Sequence, residues 1–254
     1  MLINRIFIYN KILLLGGCME NIGFVDNIKV EIDSELLFLK DKILSNIGFI
    51  IEDTHIPKII KLNLKKIRII SKSNTSYGLY KKDSDEIIIY FENIEKLNEL
   101  LIHEISHFIF NYQLNNIESK IVSIYKFSND LDIIDEILAF YNQFIYLYNT
   151  TELQEKKFLL GVLNFLKNLI QDLRETKSLY IFSQVIAIIK FFEDIEDIDY
   201  KLNIVGEKTK QFIQLLNINF TNEKDLLNCY SYISDNKLSI IEEILLYDKK
   251  VMPR

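Results

Sequence analysis

The chain has 254 residues, of which 49% are hydrophobic and 26% charged, an ordinary balance for a globular fold large enough to bury a core. Its formal net charge is -6 and no Lys/Arg cluster stands apart from acids, so it lacks the electrostatic footprint of a nucleic-acid binder. Two cysteines, Cys18 and Cys229, exclude a disulfide framework and a Cys-only zinc site, while 7 Gly and 2 Pro favour helices over a many-stranded sandwich.

In chain order, residues 1–18 form a leader or an upstream extension. Leu14-Leu15-Gly16-Gly17-Cys18 loosely resembles a lipoprotein cleavage box, but Asn10 and Lys11 interrupt the apolar run that a signal peptide needs. Initiation at Met19 competes with it, since codons for Gly16-Gly17 can read as a ribosome-binding sequence. The expected location is cytoplasmic, with a lipid-anchored or exported protein as the alternative. Residues 24–33 alternate weakly and read as one short strand or arm, and Ser34 caps a helix over 35–46. Residues 65–71 read as a strand, and 76–80 and 86–91 flank the turn-rich Lys81-Lys82-Asp83-Ser84-Asp85 as a hairpin.

From Asn93 the apolar period is near 3.6, which predicts helices over 93–113, 117–126, 130–148, 151–174, 177–193, 207–216 and 238–248. In the 151–174 segment Leu159, Val162, Leu163, Leu166, Leu169, Ile170 and Leu173 make one face. The most apolar stretch, Leu179 to Phe192, contains Ser183, Gln184 and Lys190 and reads as a buried helix, not a membrane span. The layout is α+β: a small N-terminal α/β region with a few-stranded sheet, then an all-helical C-terminal lobe. The expected domains are 19–149 and 150–254.

Chemistry concentrates in His103-Glu104-Ile105-Ser106-His107, the H-E-x-x-H pattern, within a stretch from Leu100 to Phe110 that carries no other charge. Residues four apart on a helix share a face one turn apart, so both imidazoles reach one ion. Glu104, rotated by roughly 100° from His103, approaches a metal-activated water as a base without ligating. Neutral imidazole suits zinc, and zinc lowers the pKa of a bound water from 15.7 to about 7. A chance match, with the histidines merely hydrogen-bonded in a core, is the alternative. It is weak in a chain with only 3 His.

Together with the elements before it, the segment resembles the zincin metallopeptidases over residues 34 to 145. The resemblance implies a sheet whose edge strand, here 86–91, pairs with extended substrate backbone. A catalytic zinc takes a third protein ligand. Phe110 and Gln113 exclude the metzincin pattern, and no His follows His107, so a carboxylate is needed, as in gluzincins. Glu136, in Asp135-Glu136-Ile137-Leu138-Ala139-Phe140, is the choice, because a carboxylate on an apolar helix is costly to bury without an ion. Glu118, Asp132 and Asp135 are its rivals, and Asp132 is also a candidate orienting partner. Phe140 stands where thermolysin-like sequences carry an Asp.

No oxyanion stabiliser is legible: Tyr141 and Tyr146 are two of 14 tyrosines. His55 reads as a loop histidine and Cys229 as a small core residue. Gly17-Cys18-Met19-Glu20 does not match the upstream Cys ligand of peptide deformylases. The expected function is zinc-dependent hydrolysis of peptide bonds in a peptide or protein substrate. Its cofactor is Zn2+, bound by His103, His107 and Glu136, with Glu104 as general base. The alternative is a non-catalytic helical interaction or regulatory protein on a zincin scaffold.

Overall fold

In the computed structural model the described residues are 22–52, 63–71, 77–116, 129–150, 155–195, 206–216, 220 and 222–251. The leader, His55, Glu118 and the helix expected over 117–126 lie outside them. By packing, the chain divides into two compact units after Ile109. The helix around Glu136 shares the core of the second unit.

The first unit is built on a five-stranded sheet among the described residues: β1 (Ile22–Val25), β2 (Ile28–Ile32), β3 (Lys66–Ser71), β4 (Tyr77–Lys81) and β5 (Glu86–Phe91). The strand order is β1-β2-β3-β5-β4, with β2, β3 and β5 parallel and both outer strands antiparallel to their neighbours. Registers Val30↔Ile67, Ile67↔Ile87 and Ile69↔Ile89 line up fully buried aliphatic residues on one face. That is the period-2 consequence of alternating side chains along each strand. The other face carries ions: Lys29 pairs with Glu31 at 2.7 Å, and Lys66 reaches Glu86 at 3.2 Å.

Four expectations change here. The segment 24–33 is not one strand but the hairpin β1–β2, turned at Asp26-Asn27 with Asp26 at φ 51°, a conformation that Asp tolerates. The helix cap is Asp33, whose carboxylate accepts the Glu35 amide at 3.4 Å, in place of Ser34. A 3-10 turn (Ser34–Leu39) then leads into α1 (Lys40–Glu52), which outruns the expected end because Ile47, Ile50 and Ile51 extend its buried stripe. Finally, β5 is not the edge strand. It lies between β3 and β4, and β4 forms the edge. The reason is readable afterwards: Ile87-Ile88-Ile89 is buried without alternation, as a two-sided central strand is, whereas β4 alternates exposed and covered positions. The hairpin expected between the two is present, with Asp85 at φ 48°.

α2 (Ile94–Asn116) starts at Asn93, whose side chain accepts the Lys96 amide at 2.8 Å, and it runs across the division between the units. Leu97, Leu101, Ile105 and Phe108 form its buried stripe in the first unit, and Phe108 meets Tyr80 of β4 edge-on. Asn98 donates to Asn46 of α1 at 3.3 Å.

The second unit holds α3 (Asn129–Thr150), α4 (Glu155–Thr176), α5 (Leu179–Asp194), α6 (Glu207–Leu215) and α7 (Glu223–Val251). α5 is buried on most of its sides, with Phe182, Val185, Ile186, Ile188, Ile189 and Phe191 fully covered, so it lies in the core of this unit. The face expected on α4 is the one it turns inward. α7 begins well before the expected 238, since Leu226, Cys229 and Ile233 continue its buried side through a polar sequence. No helix among the described residues is long and apolar enough to cross a membrane.

Candidate metal centre

α2 presents the motif because its two constraints are met on different sides of one helix. The Leu97, Leu101, Ile105 and Phe108 side is buried, and His103 and His107 stand one turn apart on another. Their Nε2 atoms are 3.1 Å apart, with ring planes at 83°. That is the length of a hydrogen bond between the rings and is also close to the separation of about 3.3 Å that a tetrahedral ion with metal–nitrogen bonds of ~2.0–2.1 Å gives two such ligands.

Glu136 lies on the second turn of α3 and is partly covered. Among the described residues, one ligand atom each from His103, His107 and Glu136 lies within 4.8 Å of the others. Two imidazoles and one carboxylate are a donor set that zinc accepts, and three protein ligands leave one tetrahedral position for water or substrate. Asp132, which is exposed, and Asp135, which is buried, stand outside this group. Glu118 lies outside the described residues.

Glu104 belongs to neither the ligand pair nor the apolar stripe. It is buried, 5% exposed, and its side chain passes close to Gly78 on β4. A Cβ at Gly78 would stand 2.4 Å from Glu104 Oε1 and 2.5 Å from Cγ, so the carboxylate occupies room that only glycine leaves. Sequence reasoning missed Gly78. Its one signal was a lone glycine inside a strand pattern, which marks a bulge or the close approach of another group. Ser106, between the histidines, spends its hydroxyl on the Ile102 carbonyl at 2.8 Å and needs no further role.

Tyr141 donates to Asp194 Oδ2 at 2.7 Å inside the helical unit, and Lys190 Nζ lies 3.1 Å from the same carboxylate oxygen. Burial first, and then Asp194, push the Tyr141 phenol well above the ordinary tyrosine range. Its hydroxyl is committed to packing α3 against α5. Burial also raises the Cys229 thiol to about 12, with Lys190 opposing slightly, so this cysteine is the core residue expected. Comparison of the chain with family models, with curated proteins and with solved structures finds no match.

Proposed function

We propose that the chain is a zinc-dependent metallopeptidase of the H-E-x-x-H, gluzincin-like kind. The observation that carries the reading is the convergence of His103, His107 and Glu136 with a buried Glu104 on the same helix turn as the ligand pair. Zinc held by these residues supplies Lewis acidity and brings the pKa of water close to 7.

The protein's own groups do the rest. Neutral imidazoles of His103 and His107 donate lone pairs, and the carboxylate of Glu136 offsets part of the ion's charge. Glu104 accepts the proton of the attacking water and returns it to the leaving amine, a task that suits a carboxylate excluded from bulk solvent. His103 and Glu104 are themselves buried, which limits the access of competing water. β4 is the outer strand beside this helix, so the substrate backbone pairs along residues 77–81. The substrate is a peptide or protein, and the setting consistent with two cysteines outside any disulfide framework is the cytoplasm.

The test is hydrolysis of a broad quenched-fluorescent peptide library by zinc-replete protein. Wild type is expected to cleave, and Glu104→Gln is expected to keep its zinc while turnover falls about 10²–10⁴-fold, the usual contribution of a general base. Zinc-loaded wild type that cleaves nothing, or Glu104→Gln at the wild-type rate, contradicts the peptidase reading. The first of these results leaves the interaction-protein alternative in its place.

A further inference from the structure

Gly78 poses a physical question that the motif does not. It is the second residue of β4, paired with Ile89, where glycine weakens a strand and adds nothing to packing. Its φ is not positive, so an L side chain could adopt the same backbone, and conformational freedom is not what the position demands. What it demands is space. The added Cβ would meet Glu104 at Oε1 (2.4 Å), Cγ (2.5 Å) and Cδ (2.7 Å), all inside the distance that carbon contacts tolerate. A small swing of the carboxylate end does not relieve this, because Cγ is among the atoms met and the whole side chain must shift. Tyr80, two residues on and facing the same way, packs on Phe108, one turn beyond Glu104, and fixes how closely β4 lies against α2.

We infer that Gly78 is a positioning residue for Glu104: its missing side chain sets where the carboxylate stands, against bare strand backbone. This rests on the reading of Glu104 as the general base. A group at the base's position must be placed to within a fraction of an ångström to accept a proton in the reacting geometry, and glycine at 78 is what admits it there. The imidazoles, on another side of the helix, do not depend on it. Gly78 therefore acts on turnover and not on metal binding.

Four proteins decide the matter: wild type, Gly78→Ala, Glu104→Ala and the double variant, each assayed for zinc content, melting temperature, kcat and KM. Gly78→Ala is expected to hold one zinc per chain and to melt about 5 °C lower, the scale of an overpacked contact in a chain of this size. Its kcat is expected to fall at least tenfold with KM within twofold. In the Glu104→Ala background, where Oε1, Cγ and Cδ are gone, the melting penalty of Gly78→Ala is expected to vanish. An equal penalty in both backgrounds, or wild-type kcat in Gly78→Ala, overturns the inference. Should Gly78→Ala fail to fold, a folded double variant supports the assignment and an unfolded one overturns it. If zinc-loaded wild type cleaves nothing, the peptidase reading and the catalytic part of this inference fall together. The melting cycle then still decides whether Gly78 makes room for Glu104.

Discussion

His103 and His107 became legible first because their relation is local: four residues of helix fix two imidazoles on one face whatever the rest of the chain does. Glu136 follows from chemistry, since a ligand set without a third histidine requires a carboxylate. The structure places one ligand atom of it within 4.8 Å of those of the pair, which no spacing in the sequence encodes. Gly78 is the opposite case. It lies 26 residues before Glu104, in a strand of its own, and only packing reveals what its bare backbone admits. Cys229 illustrates a residue whose role composition alone constrains well. It is fully buried with its thiol raised to about 12, so little thiolate exists at neutral pH. Site-resolved mass spectrometry after iodoacetamide at pH 8 is expected to find Cys229 unmodified in native protein and modified in urea. Rapid native labelling would contradict its place in the core.

Among the elements, the clearly periodic ones were readable and the mixed ones were not. The apolar face of α4 and the apolar run of β5 appear where the sequence put them, because each carries one dominant pattern. The identity of the edge strand was not readable, because order across a sheet is set by which strands bury both faces and not by order along the chain. The hairpin β1–β2 was read as one strand since its two-residue turn, Asp26-Asn27, has no glycine to announce it. Between α3 and α5, Tyr141, Asp194 and Lys190 form a polar contact inside an apolar core. The phenol's ionisation is raised in the folded state above its ordinary value of 10.0, as is the Cys229 thiol above 9.0. Both groups bind their protons more tightly when folded. Their contribution is complete below the unfolded values and is lost as pH rises past them, each by up to about 1.4 kcal/mol per pH unit. Urea midpoints are therefore expected to fall from pH 9 upward. Tyr141→Phe should cost about 1 kcal/mol at pH 8 and make the decline above pH 10 shallower. An unchanged decline would show that Tyr141 ionises freely.

At the scale of the molecule, two compact units meet different demands. The first places a strand edge beside a helix that bears an imidazole pair, and the second wraps helices around the apolar α5. The α+β layout followed from the switch in periodicity at Asn93, while the division after Ile109 did not, because a continuous helix hides it in sequence. The net charge of -6 opposes a nucleic-acid partner, but says nothing about which ion the His103, His107 and Glu136 group would hold. That question rests on the donor atoms. Zinc X-ray absorption on reconstituted protein reads them directly. The expected result is about one zinc per chain, with two imidazole nitrogens and carboxylate or water oxygen at ~2.0–2.2 Å, and loss of the bound ion in His107→Ala. Sulfur at ~2.3 Å, or the same bound zinc in His107→Ala, would contradict the assignment of His103, His107 and Glu136.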